Sequence, residues 1–184
     1  MSGSASLRQR FEIAAELPAA GDDIMYLPRS GPGHGRDGML LRLFRNDGSS
    51  WLAMVAGSFV GDVAGPIQMP DGQHVYAAGL ILNAEGPDGF HQLAVDPVTA
   101  VHRTADGQHV LFLGFTEIEA HGPAGRIWRS ERLVLDDLEI ERIEGGLVHC
   151  RGSDLGDQLA GDKSHVVVLD LMTGRVVSGR RFQW

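Results

Sequence analysis

Apolar residues recur with a period of two over most of this chain. Leu40, Arg42 and Phe44 alternate with Met39, Leu41 and Leu43, and a second apolar run fills positions 51–56. Further runs cover 75–82, 110–115, 127–135, 138–143 and 166–172. A period of two marks β-strands, and runs apolar on both faces suit strands covered from both sides. Near the N-terminus, Phe11, Ile13, Ala15 and Leu17 alternate with Arg10, Glu12 and Glu16. Ser6 and Gln9 would instead make a capping box for a helix ended near Pro18. The strand is preferred. No other segment carries a helical period.

Turn chemistry separates the runs: Asn46-Asp47-Gly48, Pro70-Asp71-Gly72, Asp88-Gly89, Ala105-Asp106-Gly107, Gly145-Gly146 and Thr173-Gly174. Asp-Gly between apolar runs signals a hairpin, because glycine takes the positive φ that such turns need. Asp71-Gly72-Gln73-His74-Val75 recurs as Asp106-Gly107-Gln108-His109-Val110. Gly79 answers Gly114, and Gly86-Pro87 answers Gly122-Pro123. A looser copy starts at Asp47-Gly48 and passes Gly57 to reach Gly65-Pro66. Each copy reads as a turn, a buried strand, a glycine where another backbone approaches, and a second turn. Such repetition predicts an all-β fold of duplicated antiparallel hairpins, propeller-like or sandwich-like, in a single domain over 1–184. The Asp-Gly turns at 47, 71 and 106 are unevenly spaced, which makes the hairpin the repeating unit rather than a whole blade.

Composition narrows the class. With 43% hydrophobic and 22% charged residues, the 184-residue chain is globular rather than disordered. Its 25 glycines are scattered, as many tight turns require. The formal charge of −8 repels phosphate backbones and anionic bilayers. Arg8 and Arg10, Arg126 and Arg129, and Arg180 and Arg181 never extend into a stripe with aromatics. Neither nucleic acid nor a membrane is therefore an expected partner. Lys163 is the only lysine, the bias of a GC-rich bacterial genome. Cys150 is the only cysteine, which excludes an internal disulfide and a thiolate zinc cluster. Positions 1–10 lack the apolar core of a signal peptide, and no run approaches the ~20 residues of a membrane helix. The expected compartment is the cytoplasm.

Candidate chemistry is sparse. Gly33-His34-Gly35-Arg36-Asp37-Gly38 has the glycine spacing of a dinucleotide loop, but that mechanism needs a helix to follow. An evident strand follows at 39–44, so a surface loop is expected, with its amides and Arg36 suited to an anion. Glu117, Glu119 and His121 are spaced by two and point to one face of a strand. Two carboxylates and an imidazole suit a divalent metal or acid–base work. A solvated sheet face produces the same alternation and is the preferred interpretation. His74 and His109 hold equivalent repeat positions, where copying a turn copies its side chains. Asp154, Asp157 and Asp162 share a glycine-bearing loop without the spacing of a calcium loop. There is no G-x-S-x-G elbow. His149 and Cys150 are neighbours on a strand and face opposite ways, which leaves Cys150 as a core residue.

The tryptophans divide. Trp51 heads an apolar run and is expected in the core. Trp128 lies between Arg126 and Arg129, on a face shared with Ser130 and Arg132, and is a candidate hot spot for binding, although arginine stems packed on an indole serve structure equally well. Trp184 follows Arg180, Arg181 and Phe182 and either pins the final strand or offers a partner an apolar tip.

Leu113-Gly114-Phe115, Gly122 and Gly125 leading into Trp128, and Arg132-Leu133 form one set of motif residues. Leu138-Glu139-Ile140, Gly152 with Asp154, and Asp170-Leu171 with Thr173-Gly174 continue it. In these the chain resembles a group of uncharacterised bacterial β-rich proteins with propeller-like strand–turn repeats. The resemblance covers about the last two fifths of the sequence. It implies an all-β fold and brings no activity, cofactor or catalytic residue with it.

Together these observations predict a non-enzymatic module that binds a protein partner in the bacterial cytoplasm. An immunity protein that neutralises a basic partner would be one such case. The candidate binding residues are Trp128, Arg126, Arg129, Arg132 and Trp184, and no cofactor is implied. The alternative is a small metal-binding protein or metal-dependent enzyme using Glu117, Glu119 and His121. A third class is a homo-oligomer whose copies cap each other's sheet edges. In the favoured case the histidines and acids are ordinary surface.

Overall fold

The computed structural model describes residues 11–16, 18–19, 21, 23–27, 29, 35, 38–45, 47–57, 63–78, 81–86, 89–92, 97–154 and 165–179. Among the described residues every regular element is a strand, and the strands form four four-stranded sheets. The chain divides into two compact units. Met1–Gln68 with Gln73–Leu93 make the first, and Met69–Gly72 with Ala94–Trp184 the second.

In the first unit, β1 (Phe11–Ile13), β2 (Ile24–Leu27), β3 (Gly38–Phe44) and β4 (Ser50–Ala56) form a sheet in the order β1-β3-β4-β2. It is antiparallel except where β2 runs parallel to β4. The preference for a strand over a helix at Phe11–Ile13 is borne out, while Ser6 and Gln9 lie outside the described residues. Next, β5 (Ala64–Gln68), β6 (His74–Ala78), β7 (Ile81–Gly86) and β8 (Gly89–Gln92) form an antiparallel meander. Leu27, Leu41, Leu43, Ala53 and Val55 of the first sheet pack with Tyr76 of the second. Phe11 seals that contact at Gly65, where φ is +93° and a Cβ would stand 2.2 Å from the ring. Trp51 is half-buried against this core.

In the second unit, β9 (Ala100–Arg103), β10 (Val110–Leu113), β11 (Ile118–Gly122) and β12 (Gly125–Arg129) form one antiparallel meander. A second one contains β13 (Asp136–Glu144), β14 (Leu147–Ser153), β15 (His165–Asp170) and β16 (Val176–Gly179). Leu111, Leu113, Ile118, Ala120 and Trp128 from one sheet share a core with Leu138, Val148, Cys150, Val167 and Leu169 from the other. Each fully buried aliphatic side chain here contributes roughly 1.5–3 kcal/mol over leaving it in water. The chain crosses between the sheets over 130–135 with its amides tied down. Ser130 N–H bonds Ile118 O, Leu133 N–H bonds Thr116 O, and Leu135 N–H bonds Ser153 O, at 2.9, 2.8 and 2.9 Å.

Three expectations need correction. The run at 75–82 is two strands, β6 and β7, because Ala78 pairs back onto Ile81. The run at 127–135 stops being a strand at Arg129, and its remainder is the crossing segment. What repeats is larger than the hairpin. The copied Asp71 and Asp106 turns each join the first two strands of a complete four-stranded meander.

The turns themselves match expectation. Gly48, Gly72 and Gly107 have φ of +83°, +86° and +70°. Each donates its amide to the carbonyl three residues back, on Arg45, Met69 and Thr104. Asp106 Oδ1 accepts from Thr104 Oγ1 at 2.6 Å and from Gln108 N at 2.9 Å. The Thr104 hydroxyl, then the Gln108 amide, hold this carboxyl below its ordinary value of 3.8. The fold thus prefers the carboxylate, so the stabilisation is complete above pH 3.8 and fades as pH falls through the lower folded value. Asp106→Ala should melt below wild type at neutral pH, with the gap closing under more acid conditions. Thermal melts across that range test it, and a gap independent of pH would count against the linkage.

Candidate functional site

Sheet pairing puts Ile118 and Ala120 beside Leu113 and Leu111, on the face of β11 that meets the last sheet. Glu119 and His121 therefore lie on the opposite face, beside Phe112 and Val110. That face is also covered, since Val110 and Phe112 are fully buried. Glu119 is 1% exposed and His121 is 8% exposed, which corrects the expectation of a solvated polar face. The two side chains satisfy each other: His121 Nε2 and Glu119 Oε1 are 2.7 Å apart. The edge of one ring meets the other at Phe112, with centroids 5.4 Å apart and planes 78° apart. Glu119 Oε2 is buried with no partner.

Glu117 is not part of this pair. Both its oxygens are gripped by Arg129 of β12, through Nε at 2.8 Å and through Nη2. That grip, above all, raises the guanidinium pKa further. Glu119 and His121 come together, Glu117 stands apart, and among the described residues no three such side chains are placed to hold a metal ion. His74 belongs to the first unit and His109 to the second. Each has a buried ring nitrogen without a partner, Nε2 in His74 and Nδ1 in His109.

The proposed binding aromatic is a core residue. Trp128 is buried, and its indole N–H donates to Leu171 O at 2.7 Å. Arg126 and Arg129 are exposed on the other side of the strand. Arg132 reaches back to the crossing segment, donating to Val134 O and Leu135 O at 3.0 and 2.6 Å. Trp184 lies outside the described residues, as do Asp157, Asp162, Gly33, His34, Arg36 and Asp37. Of the glycine-rich segment, Gly38 opens β3, with Val55 O too close for any side chain there. Cys150 sits in the core as expected, and burial pushes its thiol up to about 12.

Among the described residues of the second unit, a concavity lies elsewhere. Thr99, Ala100, Leu113 and Phe115 face Asp137, Leu138 and Glu139 across a cleft of about 300 Å³. Two hydrogen bonds set its floor: Leu138 N–H to Phe115 O at 3.0 Å, and Thr99 N–H to Leu113 O at 2.7 Å. Phe115 is 45% exposed at the cleft. Asp137 has φ of +57°, a conformation costly for a residue with a Cβ. Asp136 Oδ1 holds it there by accepting the Asp137 amide at 2.8 Å, and the register of β13 on β14 shifts between Asp136 and Glu139. Sequence reasoning missed this site, because its two walls are joined only by tertiary packing. No protein-family model matches this chain, and no curated protein sequence does either.

Two measurements probe these assignments. Leaving one member of a buried hydrogen-bonded pair unsatisfied typically costs about 1–3 kcal/mol, whereas replacing both by apolar groups of similar shape is often nearly neutral. Glu119→Leu and His121→Leu should each destabilise by that order in urea unfolding, and the double variant by much less than their sum. Additive losses would show that the two side chains are not a unit. With its thiol near 12, only roughly one Cys150 in ten thousand is ionised near pH 8. Iodoacetamide should therefore leave native protein unlabelled while modifying the denatured chain, as read by mass spectrometry. Equal labelling of both would refute the buried assignment.

Proposed function

We propose that this chain is a non-enzymatic protein-interaction module of the bacterial cytoplasm, holding its partner at the cleft beside Phe115. One observation carries the reading: an aromatic side chain left 45% exposed at a concave site between two packed sheets. Aromatic anchors in or beside pockets dominate the energetics of protein interfaces. The Thr99 and Leu138 amides in the walls are bonded to Leu113 O and Phe115 O, which lowers the ordering cost that binding has to meet. A net charge of −8 steers positively charged partners toward the surface and speeds encounter. The cytoplasmic setting agrees with a lone thiol kept in the core, away from oxidants.

The full chain and its Phe115→Ala variant serve as baits in extract of the source cell. We expect a stoichiometric partner retained by the wild-type chain and reduced at least tenfold by the variant, with both baits melting at similar temperatures. A partner that both retain equally, or none that either retains, sinks the proposal.

A further inference from the structure

We infer that the group seated in this cleft is a cationic side chain of the partner, arginine before lysine. The inference rests on the cleft being the docking surface, and adds the chemistry of its occupant.

Three features of the lining point the same way. Ala100, Leu113 and Leu138 give an apolar channel suited to the methylene stem of a long side chain. Phe115 is 45% exposed and lines the cleft, and a cation can stack on such a ring, arginine more readily than lysine. Asp137 and Glu139 are the two charged residues of the lining, both acidic, and their field favours a guanidinium at the side contributed by β13. Both acids already interact within the fold. A carboxylate has about four acceptor sites, so such contacts leave room for a further donor.

The surrounding charges keep that polarity. Arg151 stands opposite Glu139 in the sheet, and its guanidinium bonds Glu141 at 2.5 Å. Arg132 is turned onto the carbonyls of Val134 and Leu135. An anionic occupant would meet two carboxylates, and a neutral apolar one would strip water from them without compensation. A cavity of about 300 Å³ holds the volume of roughly ten waters, enough for one long side chain.

The test titrates the isotope-labelled full chain with acetyl-Gly-Ala-Arg-Ala-Gly-amide, and with the same peptide carrying citrulline, the neutral isostere of arginine. We expect the arginine peptide to shift the amides of Ala100, Leu113, Phe115 and Leu138. The citrulline peptide should bind at least tenfold more weakly. Asp137→Asn combined with Glu139→Gln should abolish the difference between the two peptides. Asparagine tolerates a positive φ, so this variant keeps the backbone of the site. Equal binding of the two peptides overturns the inference, as does a cleft whose amides neither peptide moves. Loss of the partner from the Phe115→Ala bait would in either case still support the docking surface itself. Failure of the occupant and failure of the surface are therefore told apart.

Discussion

The contact between Trp128 and the Leu171–Gly174 turn joins the two sheets of the second unit, and the cleft is bordered by residues of the same two sheets. The indole N–H reaches the Leu171 carbonyl, while the ring lies over Gly174, where a Cβ would come within 2.6 Å. Gly174 is suited twice over, since its φ of +66° also disfavours a side chain. Asp170 keeps the turn in place, accepting from Thr173 N and Oγ1 at 2.8 and 2.7 Å. Truncating a buried aromatic of this kind costs on the order of 3–5 kcal/mol. Here the loss would also free an acceptor and loosen one sheet from the other.

The same joint accounts for many of the motif residues in the last two fifths of the sequence. Trp128, Asp170 and Thr173-Gly174 make the contact between the sheets. Arg132 clamps the crossing segment and Leu133 fills the core beneath it. Gly152 leaves space for Val134, whose side chain would stand 2.6 Å from any Cβ there. Leu113, Phe115, Leu138 and Glu139 then border the cleft. Most of these residues thus serve packing, and a few line a concave surface. Residues of this kind define architecture and leave the ligand open.

The long strands with two apolar faces were legible because period-two patterning survives in any strand whose neighbours are apolar. Short outer strands such as β2, β5, β8, β9 and β16 were not, since four or five residues carry too little pattern to separate from a loop. Glu119 and His121 were misread for a different reason. Alternation within one strand does not determine which face is wet; the adjoining strand does. The run at 110–115 is apolar on both faces, and β11 lies against it, so both faces of β11 were bound to be covered as well. Trp128 was misjudged because Arg126 and Arg129 flank it in sequence while their side chains leave on the other side. Phe115 and Asp137 come together where the Leu138 amide bonds Phe115 O, a tertiary contact that no local period reveals.

The buried acid–imidazole pair has a structural consequence that its chemistry alone does not suggest. Side chains alternate strictly across a sheet, so a slip of one residue between β10 and β11 exchanges every side chain from face to face. In that slipped register Glu119 and His121 would enter the core beside Leu111, Leu113 and Trp128. A purely apolar β11 would tolerate either register, because both of its faces are buried. The polar pair biases that choice, because on its native face Glu119 lies in the field of the Arg129 guanidinium and His121 meets the Phe112 ring, partners that a slipped strand would lose. Residues that look catalytic in the sequence therefore bear on packing, by favouring one of the two pairings open to the sheet.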